Sequence, residues 1–292
     1  MIMRKIVYIF AALMLSVMAS AQTSDYQRRY SALVDRVGLA GVGVETLIEN
    51  WSKAEPDNPE MLQARFYFYL VKSQGTEVIS RSEPKYLGIT PILTLKDSTG
   101  ADIYYYEVLK YEDELFSQAI KAVDKMISAC PERLDFRFLK SNAYLSYERE
   151  SPDMALSSIM ALAYDYKTSK KKWFYLEVGA EEPAEVDDKL FAQMMQEYCY
   201  SLYTLGTPSS HEAFLKLSQR MNEYYPKEAD FLGNIGSYHL VVKKDFKAAI
   251  KYYDKALKLD PDNANVIHNA LVAARKMKSE KLIKKYSKML AK

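Results

Sequence analysis

The sequence predicts an all-α fold: a right-handed α-solenoid of helix pairs with one β-hairpin set into it near residues 91–108. Three observations carry that prediction. Apolar residues recur at the three-and-four spacing of a single helix face, as in Ala249, Ile250, Tyr253, Ala256 and Leu257. Proline-bearing stretches punctuate these segments: "EPDNP" at 55–59, "ACPERLDF" around Pro131, "YYPKEADF" around Pro226 and "DPDN" at 260–263. Proline cannot continue a helix and disfavours helical geometry in the residue before it, so each stretch ends one helix and begins another. Each resulting pair has an apolar face that only stacking on a neighbour can bury.

Residues 1–21 read as a secretory signal. Arg4 and Lys5 precede a largely apolar run of 13 residues, Ile6 to Met18, and Ala19-Ser20-Ala21 supplies the small residues of a cleavage site before Gln22. The run is short of the ~20 residues that span a bilayer, so no stable membrane span is expected, and no cysteine follows it to carry a lipid anchor. The expected location is periplasmic or secreted, with 22–292 forming one helical repeat domain. Removing the leader takes away Arg4 and Lys5 and with them the formal charge of +2. A balanced chain has no global pull toward nucleic acid, and none is expected as a partner.

Helices are expected over 25–37, 43–54, 58–73, 111–129, 133–148, 151–166, 187–205, 209–224, 229–243, 246–259, 264–276 and 279–290, making five or six pairs. In the third, "FYFYL" at 66–70 places rings on both faces. Ala119, Ile120 and Val123 mark the fourth; Leu139, Ala143 and Tyr144 mark the fifth. Ser151 is the expected N-cap of the sixth, with Pro152 at its first position. Gly206 closes the seventh, and Ser209 with Glu212 offers a capping box to the eighth. Ile235 and Gly236 sit where the ninth helix meets its partner, and Lys243-Lys244-Asp245 breaks it before Phe246. In the tenth, Ala249 and Ala256 admit a neighbouring helix closely, while Asp254 and Lys258 form a favourable surface pair. The last helix has Leu282, Ile283, Tyr286, Met289 and Leu290 on one face and a basic back, which reads as a cap sealing the stack; a basic amphipathic helix for anionic lipid is the alternative.

Two stretches interrupt the pattern. In 74–110, β-branched and aromatic runs flank Asp97-Ser98-Thr99-Gly100, predicting a hairpin with a four-residue turn that packs on the helices. Its Tyr104, Tyr105 and Tyr106 are either a contact arm over a groove or gap-filling aromatics. Residues 167–188 carry Lys170-Lys171-Lys172, then Trp173, Phe174 and Tyr175, then the acidic "EEPAEVDD". They form either a binding loop or a solvated excursion with its aromatics tucked beneath it.

The segment from 228 to 261 resembles the tetratricopeptide repeat. Ile235-Gly236 stand at its L-G pair, Ala249 and Tyr253 at its A-x3-F, and Pro261 at its proline. Leu232 replaces the pattern's Trp, His239 its Tyr, and the turn between the helices is one residue longer than usual. The likeness covers 228–276 firmly and the remainder loosely. It implies a non-enzymatic scaffold that holds a peptide or a partner helix along the concave face lined by the first helix of each pair. The matching inward positions are Gln63 and Tyr67, Arg137 and Ser141, and Ser237.

Little points to chemistry. His211, His239 and His268 belong to no H-E-x-x-H or zinc-like spacing, so no metal is expected. There is no G-x-S-x-G, P-loop or G-x-G-x-x-G, and no cofactor is expected. Adjacent acids such as Glu181-Glu182 and Asp187-Asp188 are expected by chance among 38. Cys130 and Cys199 read as small buried side chains in different helix pairs, a disulfide being the alternative. Tyrosine is the outlier at 24 residues, most of them expected to fill gaps between stacked helices. The functional expectation is an exported, non-enzymatic scaffold for a protein or peptide. A glycan- or small-ligand-binding envelope protein is the alternative, and an enzyme carried by the two interruptions a third.

Overall fold

A computed structural model describes residues 25–177, 180 and 182–291. The expected leader, 1–21, lies outside the described residues. Twelve α-helices are present among them: α1 Asp25–Val37, α2 Val44–Ala54, α3 Pro59–Lys72, α4 Asp113–Ala129, α5 Leu134–Tyr147, α6 Asp153–Thr168, α7 Asp188–Leu205, α8 Pro208–Tyr224, α9 Ala229–Tyr238, α10 Phe246–Leu259, α11 Ala264–Lys276 and α12 Glu280–Leu290. Five strands accompany them: β1 Gln74–Arg81, β2 Leu93–Lys96, β3 Asp102–Tyr111, β4 Phe174–Tyr175 and β5 Ala184–Glu185. Successive helices pack on one another to form the tetratricopeptide-like α-solenoid that the sequence predicts.

Among the described residues, side-chain caps start six of the helices, because the first backbone N–H groups have no partner within the helix. Asn58 accepts from the Met61 N–H, Asp187 from Leu190, Asp245 from Ala248 and Asn263 from Val266. Two predicted caps are replaced. At α8 the box is Thr207 with Ser210, not Ser209 with Glu212; Pro208 fills the first position and shifts the start by one turn residue. At α6 Ser151 bonds the Asp153 carboxylate, and the Glu148 carboxylate accepts the Ala155 N–H at 2.7 Å in its place.

The extra residue noted before Phe246 does not lengthen a loop. It is wound into a π-helical segment, His239–Lys243, that continues α9 and ends at Lys244 in a left-handed conformation, φ 53°. Upstream of it, Gly236 has no room for a side chain: a Cβ there would lie 2.6 Å from the Tyr253 ring. Ala249 and Ala256 are both fully buried, as close helix approach requires.

The first interruption is larger than a hairpin. β2 and β3 pair as expected, but the turn is tighter, with Asp97 and Ala101 already bonded across it and Gly100 at φ 87°. β3 also pairs along eight residues with β1, giving a sheet of order β1-β3-β2. β1 was not legible as a strand because its "QGTEVISR" has neither an apolar run nor clean alternation. The chain from Arg81 to Leu93 crosses the inner face, where the Tyr106 hydroxyl donates to the Glu83 carbonyl at 2.5 Å and Arg149 to the Leu87 carbonyl at 2.6 Å. Gly88 permits this docking, since a Cβ would lie 2.5 Å from the Thr204 carbonyl oxygen.

Three buried clusters follow the stack: one over α1–α5, one over α5–α9 and one over α9–α12. The middle cluster includes Trp173 from the second interruption, 3% exposed and stacked on Tyr166. That stretch is thus an excursion with its tryptophan tucked beneath it. Its Lys172 pairs with Glu185 at 2.8 Å, and Lys171 donates to the Pro131 carbonyl. The cysteines are unpaired, Cys130 half-buried and Cys199 buried, with burial pushing the Cys199 thiol up to about 12. At the C-terminus α12 packs on α11, and its fully buried Tyr286 donates to Asp254 of α10 at 2.8 Å.

Candidate functional site

Burial sorts the candidate residues. Tyr67 is 1% exposed and Ser141 and Tyr106 are fully buried, so these three, expected as contact residues, present no surface. Each instead holds helices or strands together. Ser141 shares a hydrogen bond with Ser158 of α6 at 2.8 Å, and its carbonyl accepts the Tyr198 hydroxyl of α7 at 3.0 Å. Tyr67 lies among Gln63, Asp135 and Tyr175, and burial pushes its hydroxyl well above the usual range. Gln63 is half-buried on α3. Tyr104 and Tyr105 are half-buried on opposite faces of β3, since successive strand residues alternate.

Arg137 faces α6, where it pairs with Asp165 at 2.8 Å and lies 5.1 Å over the Trp173 ring. With Lys140, Tyr144 and Met154 it lines a cleft of about 530 Å³ between α4, α5 and α6. The cations there are answered, Lys140 by Asp124 at 2.6 Å and Arg137 by Asp165, so the cleft carries no bare charge to seize an anion.

A second cleft, about 430 Å³, opens between the first helices α7 and α9. Ala192, Gln193, Gln196, Glu197, Glu228, Asp230 and Phe231 line it. Along its wall Gln196 and Asn234 exchange two amide hydrogen bonds, at 3.1 and 2.6 Å. The row continues: Ser237 bonds the Tyr253 hydroxyl at 3.2 Å and accepts from Asn269 of α11 at 3.3 Å. Asn263 donates to Asp230 at 2.9 Å. Amides and a hydroxyl from α7, α9 and α11 therefore share one face. The amides of Gln196, Asn234 and Asn269 have spare capacity for a backbone amide, while the Ser237 hydroxyl, which also donates to the Gly233 carbonyl at 3.0 Å, is filled and positions Asn269. Ser237 is the one predicted inward position in this row. Asn234 could have been found with it, because the residue before Ile235-Gly236 must point away from the seam that this pair fills. Gln196 carries no such marker.

Glu212, at the start of α8, accepts from the Tyr238 hydroxyl and then from Lys243, which together hold its carboxyl below the usual range. That trio ties α8 to the π segment. Among the described residues no group of three or more His, Cys, Asp or Glu side chains is placed to hold a metal ion. No helix of the described residues is long and apolar enough to cross a membrane.

No family model matches this chain, and no curated protein matches it. Solved structures similar to it include a MamA protein, at 16% identity and TM-score 0.39 over 61% of this chain and 82% of that one. PilF of Pseudomonas aeruginosa is similar at 17% identity and TM-score 0.38, over 61% and 69%. YrrB, described as a TPR protein with an unusual peptide-binding site, gives 14% identity and TM-score 0.36 over 85% and 91%. At these scores the fold assignment rests on the chain's own helix pairs and not on the likeness.

Proposed function

We propose that this chain is an exported, non-enzymatic scaffold that holds an extended peptide or a segment of a partner protein across the first helices α7, α9 and α11. The observation that carries the reading is the row Gln196, Asn234, Ser237 and Asn269, three helices deep and bordered by a cleft of about 430 Å³. Such side chains meet backbone amides without demanding a particular sequence, while cleft side chains supply selectivity. Export is supported by the charged, apolar and small-residue succession of residues 1–21. A glycan platform would need exposed rings around a pocket; the two clefts described have one tyrosine between them, Tyr144.

Site-specific photocrosslinking tests the reading. A photoreactive residue at Asn234 or Gln193 is expected to trap a discrete protein adduct in envelope extracts, and one at the exposed Lys251 of α10 is not. Loss of the adduct on Asn234→Ala combined with Gln196→Ala would place the contact in the row. Equal labelling from all three positions, or none, would sink the proposal.

A further inference from the structure

The three-stranded sheet leaves a long edge unpaired. β1 bonds to β3 along Gln74–Arg81, and among the described residues its other edge makes no backbone–backbone hydrogen bond. The edge is rigidly based. β1 follows α3 after the single residue Ser73, whose carbonyl accepts the Glu112 N–H at 2.8 Å, and the sheet's inner face is fixed through Tyr106 and Leu87. It is also accessible: Thr76, Glu77, Val78 and Ser80 are exposed, Val78 by 58%.

Open edges are commonly blunted by proline, bulges or charge, because their free N–H and C=O groups accept any extended chain. β1 has no proline and two charges, Glu77 and Arg81. They stand symmetrically, two residues either side of Ile79. In an antiparallel pair of two β1 strands centred on Ile79, each Glu77 faces the other copy's Arg81, Val78 faces Ser80, and Ile79 faces itself. A shift of one residue sets Glu77 against Ser80 or Ser82 and Arg81 against Thr76 or Val78, losing both ion pairs. Charges that would discourage a generic strand thus complement a second copy. Each has an exposed partner within its own chain, Glu77 in Lys110 at 3.3 Å and Arg81 in Glu150 at 3.8 Å and the Tyr86 ring at 4.9 Å, and solvent-exposed pairs of this kind hold a side chain only weakly.

We propose that β1 is a self-association edge. Two copies pair through it about a twofold axis at Ile79, joining their sheets in the order β2-β3-β1-β1-β3-β2. A strand is the only partner form that satisfies a row of backbone groups, and the charge symmetry selects this chain as the source. The inference is separate from the peptide-binding row, since no β1 residue lies on α7, α9 or α11.

The test uses the purified chain carrying Cys130→Ser. With Ile79→Cys, the two facing Cβ atoms lie about 4.5–5.5 Å apart, and mild oxidation is expected to give a covalent dimer. Leu95→Cys on the far strand is expected to give none. In sedimentation, Arg81→Glu is expected to weaken the dimer about tenfold through two like-charge contacts, and Glu77→Arg with Arg81→Glu to restore it. Circular dichroism on each variant checks that the fold is kept. A monomer at every concentration overturns the proposal. So does a dimer indifferent to the charge reversal, or one that crosslinks through Leu95→Cys and not through Ile79→Cys.

Discussion

Between α9 and α10 a glycine meets a ring: Gly236 leaves just enough space for Tyr253, and the one polar tie there is between the Tyr253 hydroxyl and the neighbouring Ser237 at 3.2 Å. Between α5 and α7 the contact is of another kind. The buried Tyr198 hydroxyl of α7 reaches the Ser141 carbonyl of α5 at 3.0 Å, and elsewhere on α7 Phe191 stacks on Tyr166 of α6 with ring centroids 3.7 Å apart. The C-terminal repeat keeps the repeat pattern at Ile235-Gly236, Ala249, Tyr253 and Pro261. The middle of the stack, where 169–187 intervenes and α6 packs on α8, is held by aromatic bulk and by bonds found nowhere in that pattern. A repeat can therefore lose its local signature and keep its place in the solenoid, provided large side chains fill what small ones no longer fit together.

The comparison breaks most readily at the aromatic junction. Phe191 is fully buried, and Phe191→Ala is expected to cost about 3–5 kcal/mol in chemical denaturation, splitting the middle cluster before the C-terminal one. A loss shared evenly along the stack would show that the two regions are one cooperative unit. Gly236→Ala is expected to cost about 1–3 kcal/mol, because the added Cβ falls on a ring that is itself fully buried. An unchanged melting temperature would mean that Tyr253 can move and that the seam is loosely packed. Tyr198→Phe keeps the ring and removes the bridge, while the Ser141 carbonyl keeps its bond within α5; about 1 kcal/mol is expected.

The smallest effect concerns pH. Glu212 is held below the usual carboxylate range first by Tyr238 and then by Lys243. A depressed folded-state value means that the stabilisation is present above the unfolded carboxylate range and is lost as the pH falls through the folded one. Glu212→Gln is therefore expected to flatten the acid limb of the stability curve and to leave neutral stability slightly lower. Acid limbs that superimpose would show that the trio adds nothing to the join of α8 with the π segment. Thiol labelling gives a companion measurement: Cys130, half-buried, is expected to react slowly, and Cys199 only on unfolding.

Much of this was legible beforehand for a local reason. Helix ends are written in prolines, caps and periodicity, and each of the twelve helices falls within a few residues of its expected span. Tyr286 and Ala249 read as seam residues and are fully buried. The candidate site was legible only at Ser237. Tyr67 and Ser141 occupy helix faces of the right bearing, yet α7 and the 169–187 stretch approach them from far along the chain and cover them. Gln196 meets Asn234 across 38 residues of separation, and no local pattern records such a meeting.

By itself the sequence determined the helices, their order and the faces on which they stack, because those follow from side-chain size and spacing within about one turn of each residue. Tertiary structure alone decided that β1 joins β3, that an extra residue becomes a π turn, and which polar side chains reach the surface. Those outcomes depend on what a distant segment places opposite each residue, and burial is set by both partners at once.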